Sequence, residues 1–351
     1  MSSDEDSDPP LATREALWQR LVVGLLAATI WTTGALPTWL AYAIGDLLAV
    51  PWYLWWRCHD PRGKRSKGYW RNLAIAFRAG SPLGPTPPRH HLWRWSRHIA
   101  WLLIDFCRMR HLHARNLQQH CDMSEYGRLA SLYAEGKGLI FATGHMGVWD
   151  VSGYAAGLLG LPLHSVFRPS PLPALNRLIA KLRSGTGQTV VARKNVMWTL
   201  KKLLAEKKVI GLLSDGGGKH SSVVAPFLGT PARTVATPAL LHLTSGAPIA
   251  VVAVLRTGRM RYRLRVFDVI RHTATDDRDR DLIAITTRIN AALTQAVVEA
   301  PEQWFWQSRR FRHRPPGEVS GADGLPPLAA PATASADGAS SPSLHNTLDT
   351  P

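Results

Sequence analysis

Gly138-Leu139-Ile140-Phe141-Ala142-Thr143-Gly144-His145-Met146-Gly147-Val148-Trp149-Asp150 joins an apolar run to a glycine-flanked turn and then to a helical pattern. The run reads as a buried strand over Gly138–Thr143, and Trp149–Leu159 as the helix that follows it. The same alternation continues outward. Leu163–Phe167 reads as a strand and Pro173–Arg183 as a helix, then Thr189–Ala192 as a strand, Val196–Glu206 as a helix and Val209–Leu213 as a strand. Beyond these come a helix at Val235–Thr244, strands at Ile249–Leu255 and Tyr262–Val269, and a long helix from about Arg278 to Ala300, stopped by Pro301. Short apolar strands alternating with helices give an α/β fold, a mixed sheet flanked by helices. Upstream, His90 to Met109 reads as an apolar helix rich in Trp and Arg, after a loop at residues 81–89.

The turn carries the chemistry. A His followed five residues later by an acid also occurs at His120/Glu125, His272/Asp277 and His313/Glu318, so spacing alone decides nothing. Only His145 follows an apolar strand and precedes a helix. Five residues along a regular helix turn through about 140°, so His145 and Asp150 share no face if both are mid-helix. With His145 on the turn and Asp150 in the first helical turn, the carboxylate is expected to reach back to the imidazole. Gly144 and Gly147 leave room for the backbone to turn and for a substrate to approach. This describes a general base oriented by a carboxylate. No Ser or Cys stands there as nucleophile, so the expected step is attack of a substrate hydroxyl on an acyl thioester. The competing reading is a capping or packing histidine.

Composition narrows the setting. Net charge is +17 with 45% hydrophobic residues, which excludes a mainly disordered chain and calls for an anionic partner. Trp18, Trp31, Trp39, Trp52, Trp55 and Trp56 lie along an apolar stretch whose only charge between Arg20 and Arg57 is Asp46. Indole rings suit membrane interfaces, which favours a lipid surface over nucleic acid. Leu21 to Gly45 is long enough to cross a bilayer once, while Gly34, Pro37 and Asp46 also allow two helices lying in one leaflet. A buried soluble hairpin is the third reading. Arg57, Arg62, Lys64, Arg65, Lys67 and Arg71 follow, opposed only by Asp60. They put the remainder on the cytoplasmic side and against anionic headgroups. The expected organisation is residues 1–16 disordered, 17–56 a membrane anchor, 57–315 the catalytic domain and 316–351 a disordered tail of Gly, Ala, Ser and Pro. Cys58, Cys107 and Cys121 form no CxxC pair and read as reduced thiols.

The Gly144–Asp150 segment resembles the His-x4-Asp/Glu block of the lysophospholipid acyltransferase superfamily. Within it, the likeness is to the lipid A biosynthesis (lauroyl/myristoyl) branch and to the mycobacterial phosphatidylinositol mannoside acyltransferase. Further blocks match in order: Phe167-Arg168-Pro169 with Asn176 and Arg183; Ser214-Asp215-Gly216-Gly217-Gly218 with Pro226 to Ala232; and Glu302-Gln303-Trp304-Phe305-Trp306 with Arg309-Arg310-Phe311. Asn72-Leu73 near Phe77 also fit. The chain departs from the pattern at Ser214-Asp215-Gly216, which keeps one carboxylate where the branch has acid-Gln-acid, and at Val148, Leu228 and Ser308. The resemblance implies a glycerol-3-phosphate acyltransferase-like core, with His145 as base and Asp150 as its orienting partner. It implies substrate binding by Arg168, Asn176, Arg309 and Arg310, with Asp215 holding the acceptor or the site. A guanidinium at a strand end suits phosphate, although a surface salt bridge is the plainer reading of Arg168. Gly216–Gly218 with Lys219 also reads as a phosphate nest without P-loop spacing.

The expected function is transfer of a fatty acyl chain from acyl-carrier protein or coenzyme A to a hydroxyl of a membrane glycolipid. It would take place at the cytoplasmic side of a bacterial inner membrane, with no metal and no bound cofactor. Alternatives are a lysoglycerophospholipid acceptor, a non-catalytic protein that binds anionic lipid, and a metal hydrolase using His90-His91 or His111 and His113, for which no carboxylate or Cys completes a set.

Overall fold

The computed structural model describes residues 17–58, 68–167, 170–192, 196–217, 221–315, 317–321 and 323–329. Two helices come first, α1 (Leu17–Ala35) and α2 (Thr38–Cys58), joined at Leu36 and Pro37. The apolar stretch is thus divided between two helices, and among the described residues no helix is long and apolar enough to cross a membrane. Trp18, Leu21, Leu25, Trp39, Leu47 and Trp55 stay exposed on it, whereas Trp56 turns inward. Of the basic run that follows, Arg57 and Arg71 are exposed, and Arg62, Lys64, Arg65 and Lys67 lie outside the described residues.

Next come α3 (Tyr69–Ala76), α4 (His91–Arg108), the short α5 (Leu117–His120), β1 (Cys121–Asp122) and α6 (Tyr126–Ala134). The core then alternates as β2 (Leu139–Thr143), α7 (Trp149–Leu158), β3 (Leu163–Phe167), α8 (Pro173–Ser184), β4 (Thr189–Ala192), α9 (Val196–Ala205) and β5 (Val209–Leu213). A hairpin follows, β6 (Ser222–Phe227) with β7 (Thr230–Val235), and then α10 (Thr237–Ser245), β8 (Ile249–Gly258), β9 (Arg261–Ile270) and α11 (Arg278–Glu299). Val235, expected to open a helix, ends β7 instead, because it pairs with Ser222 across the hairpin.

The main sheet runs β1-β9-β8-β2-β5-β3-β4. Strands β8, β2, β5, β3 and β4 are mutually parallel, and β9 runs antiparallel to β8. β2 lies between β5 and β8 and is buried from Leu139 to Ala142, which is why it reads as a continuous apolar run. β9 alternates, burying Tyr262, Leu264 and Val266 while Arg261 and Arg263 face out. The two faces build two cores. Ile140, Ile210, Val251 and Ala253 pack toward α9, α10 and α11, and Leu139, Phe141, Val209 and Val252 pack toward α6 and α7. The long last helix starts where the Asp277 carboxylate accepts from Arg280 N–H at 3.0 Å, with Asp279 and Asp281 in its first turn.

The N-terminal helical pair is fastened to this core by buried polar contacts. Asp105 on α4 accepts from the hydroxyls of Tyr42 on α2 and Tyr262 on β9, and from the Arg256 guanidinium on β8. Burial, with the Asp105 charge beside them, pushes both phenols above their ordinary range. On the outer turn of α4, Arg97 and Trp101 both bond Asp46 of α2, at 2.6 and 2.7 Å. Residues expected to form part of the tail are instead seated: Pro326 O accepts from Arg78, and Ala329 N–H donates to Gly229 O at 2.8 Å.

Candidate active site

The parallel register of β2 and β5 builds the site. Thr143 pairs with Leu213 at the strand ends, and Ser214 N–H continues the ladder to Thr143 O at 2.6 Å. Two residues past the paired ends, His145 and Asp215 emerge side by side at the carboxyl edge of the sheet, where α/β folds put their ligands. His145 Nδ1 lies 2.8 Å from Asp215 Oδ1, and the His145 backbone N–H donates to Asp215 Oδ2 at 2.8 Å. Trp304 Nε1–H also donates to Oδ2, at 2.9 Å, and is the third partner of the carboxylate. Asp215 is only 3% exposed. Burial would raise its pKa, but the His145 imidazole and these hydrogen bonds override it and hold the carboxyl down at about 2.

With Nδ1 occupied by a carboxylate, the imidazole is the tautomer whose Nε2 carries the lone pair. Among the described residues no hydrogen bond occupies Nε2, and the side chain is 37% exposed. Burial by itself would lower the His145 pKa. The Asp215 charge, its hydrogen bond and the Asp150 charge outweigh that, and the net shift is upward. The ring stands between Trp149 and Phe305, with centroids at 5.6 and 5.8 Å.

The turn is held from two sides. Gly147 N–H donates to Gln303 O at 3.0 Å, Phe305 N–H to His145 O at 2.9 Å, and Val148 N–H to Val254 O at 2.8 Å. The Glu302–Trp306 block therefore clamps the loop from the C-terminal side and the end of β8 from the other. Asn72 anchors that block in turn, donating to Trp306 O and Ser308 O at 2.7 and 2.6 Å. Gly147 has φ +62°, and a Cβ there would collide with Val254 O. Gly147→Ala should therefore destabilise the protein by at least about 1–3 kcal/mol of backbone strain. A thermal melt should show this, together with loss of activity.

The expected contact between Asp150 and His145 is replaced by a different one. The Asp150 carboxylate takes Arg183 Nη2–H at 2.5 Å, between α7 and α8, and Asp215 is the group against Nδ1. The reason is the sheet register, which delivers Asp215 directly to the ring, while Asp150 sits one helical turn along beside α8. Arg168 lies outside the described residues, as do Gly218 and Lys219 of the expected nest. Asn176 makes reciprocal bonds to Ser170 N–H and O, both 2.8 Å, and so shapes the loop after β3. Arg309 is exposed. Arg310 is 2% exposed and donates to Arg233 O, Thr234 Oγ1 and Asn290 Oδ1, so it braces β7 against α11 and offers a substrate no surface. Burial lowers its pKa to about 10. Of the candidate metal-site histidines, His91 is buried against the Tyr69 hydroxyl and His111 Nε2 lies 2.6 Å from Gly34 O.

A cavity of about 140 Å³ runs between α7 and the sheet. Thr143, Trp149 and Asp150 line it next to His145, and Phe141, Ala155, Leu163 and Val252 make its walls apolar farther in.

The model of the bacterial lipid A biosynthesis acyltransferase family matches residues 19–313. The chain belongs to that family. As a lipid A acyltransferase family member it resembles an Escherichia coli lipid A biosynthesis palmitoleoyltransferase, 23% identical over 57% of this chain and 64% of that protein. It also resembles a Haemophilus influenzae lipid A biosynthesis acyltransferase, 24% identical over 58% of this chain and 63% of that protein. The aligned part thus spans just under two thirds of these relatives' length. Trp304 and Gln303, noted in the sequence only as part of a matching block, act here as supports of the site.

Proposed function

We propose that this family member transfers a fatty acyl chain from a thioester, of acyl-carrier protein or coenzyme A, to a hydroxyl of a membrane glycolipid of lipid A type. One observation carries the proposal: a buried carboxylate holds Nδ1 of a part-exposed His145, and the neighbouring Thr143, Trp149 and Asp150 line an apolar cavity. In the step, Nε2 takes the proton from the acceptor O–H as the oxygen attacks the thioester carbonyl. The new C–O bond forms, the C–S bond breaks, and the imidazolium returns its proton to the departing thiolate. Asp215 holds the tautomer and stabilises the imidazolium, so the acyl chain needs no covalent stop on the enzyme. The cavity receives the chain, and the Asp150–Arg183 pair is part of its lining.

The exposed apolar residues of α1 and α2 support a location at the bilayer surface, with Arg57 and Arg71 toward anionic headgroups. The cytoplasmic leaflet of the inner membrane is the surface where a soluble thioester donor meets a lipid acceptor. The test is lipid mass spectrometry of a deletion strain complemented with wild-type or His145→Ala protein. The wild type should restore an acylated glycolipid missing from the deletion, and the variant should not. A change confined to diacyl glycerophospholipids would move the acceptor to a lysoglycerophospholipid. Profiles equal in all strains would overturn the proposal.

A further inference from the structure

One polar group inside the apolar cavity has no use in the mechanism. Gln188, just before β4, is 5% exposed and lines the cavity, as does Ser165 in the middle of β3. The two are bonded to each other, Gln188 Nε2–H to Ser165 Oγ at 2.8 Å. Gln188 Oε1 is buried with no hydrogen-bond partner. A buried amide oxygen left unpaired costs free energy that an apolar residue of the same size would avoid. The surroundings are built around this amide. Gly153 on α7 faces it so closely that a Cβ would come within 2.6 Å of Gln188 Nε2, so α7 gives up a side chain there.

We infer that Gln188 and Ser165 form a polar subsite that binds a hydroxyl carried on the fatty chain. This rests on reading the cavity as the acyl site. A hydroxyl both donates and accepts, so it satisfies the free end of the amide whichever way the amide is turned. The register says where along the chain that hydroxyl sits. Ser165 pairs with Gly211, which pairs with Phe141, and His145 lies four residues beyond Phe141. At the rise of a strand this sets the subsite roughly 13 Å below the catalytic histidine. The hydroxyl read here is therefore at mid-chain and not beside the thioester carbon.

The experiment compares donors on the full-length wild-type protein in detergent micelles with a lipid A-type acceptor. Three eighteen-carbon thioesters are used, long enough for mid-chain to reach that depth: unsubstituted, hydroxylated at mid-chain, and hydroxylated next to the thioester end, each on acyl-carrier protein and on coenzyme A. The mid-chain hydroxyl should raise kcat/KM over the unsubstituted chain by about tenfold, the worth of one buried hydrogen bond. The hydroxyl near the thioester should give no such gain. Gln188→Met should bring the ratio between mid-chain and unsubstituted donors to near one. Equal rates for the unsubstituted and mid-chain donors in the wild type would overturn the subsite, since Oε1 would then be satisfied by water. A preference that survives in Gln188→Met would overturn it as well. If no donor is used at all, the reading of the site as an acyltransferase fails first, which separates the two claims.

Discussion

His145→Ala should reduce acyl transfer by about 10²–10⁴-fold, the range a positioned general base supplies, with a limited loss of thermal stability because the buried Asp215 keeps its other two donors. The imidazole is more than a third exposed and its ring contacts are with Trp149 and Phe305, so its loss opens no cavity in either core. Lipid-vesicle binding should persist, because the exposed apolar residues of α1 and α2 are untouched. A variant that keeps activity would remove His145 from the chemistry. The pH profile adds a check on the sign. The neutral imidazole is the active form and its pKa is raised, so kcat/KM should fall as pH drops through a value above that of an ordinary histidine.

Asp215→Asn should cost up to about 10⁴-fold in kcat, the loss that a wrong imidazole tautomer brings, and more than Asp150→Asn. The carboxylate accepts from Nδ1–H, from the His145 backbone N–H and from Trp304. An amide supplies one acceptor oxygen, and its NH₂ would have to face Nδ1. The ring would then move its proton to Nε2 and cease to be a base. Without the charge, burial becomes the dominant influence on His145, so the acid limb of any residual activity should move to lower pH than in the wild type. If Asp150→Asn proves the more damaging change, the orienting role belongs to Asp150 and the tautomer argument from Asp215 fails.

The two carboxylates also show what the sequence could tell. Strands such as Leu163–Phe167, Thr189–Ala192 and Val209–Leu213 were legible residue for residue, because a buried parallel strand writes itself as a short apolar run between turn signals. His145 was legible for the same reason, by its place after such a run. Its partner was not. Seventy residues separate His145 from Asp215, and only the β2–β5 register brings them together, whereas local spacing pointed to Asp150. The β6–β7 hairpin was hidden as well: Pro226, Gly229 and Pro231 break any alternation, and the pairing is visible only across the turn. The family resemblance implied Arg310 as a substrate ligand, and a matching block does not show which way a side chain turns. The hydrogen-bonding groups of Arg233, Thr234 and Asn290 draw it inside.

The buried link from Tyr42 through Asp105 to Arg256 continues to the turn that carries His145, since Arg256 N–H and O bond the Gln303 side chain at 2.9 Å each and Gln303 O holds Gly147. For anyone preparing this protein, the consequence is practical. The greasy first helices cannot be trimmed away to yield a better-behaved fragment, because their removal strips Asp105 of one of its partners and loosens the strut on which the histidine turn leans. The intact chain is the unit to prepare, with its exposed apolar residues on the first two helices kept in place.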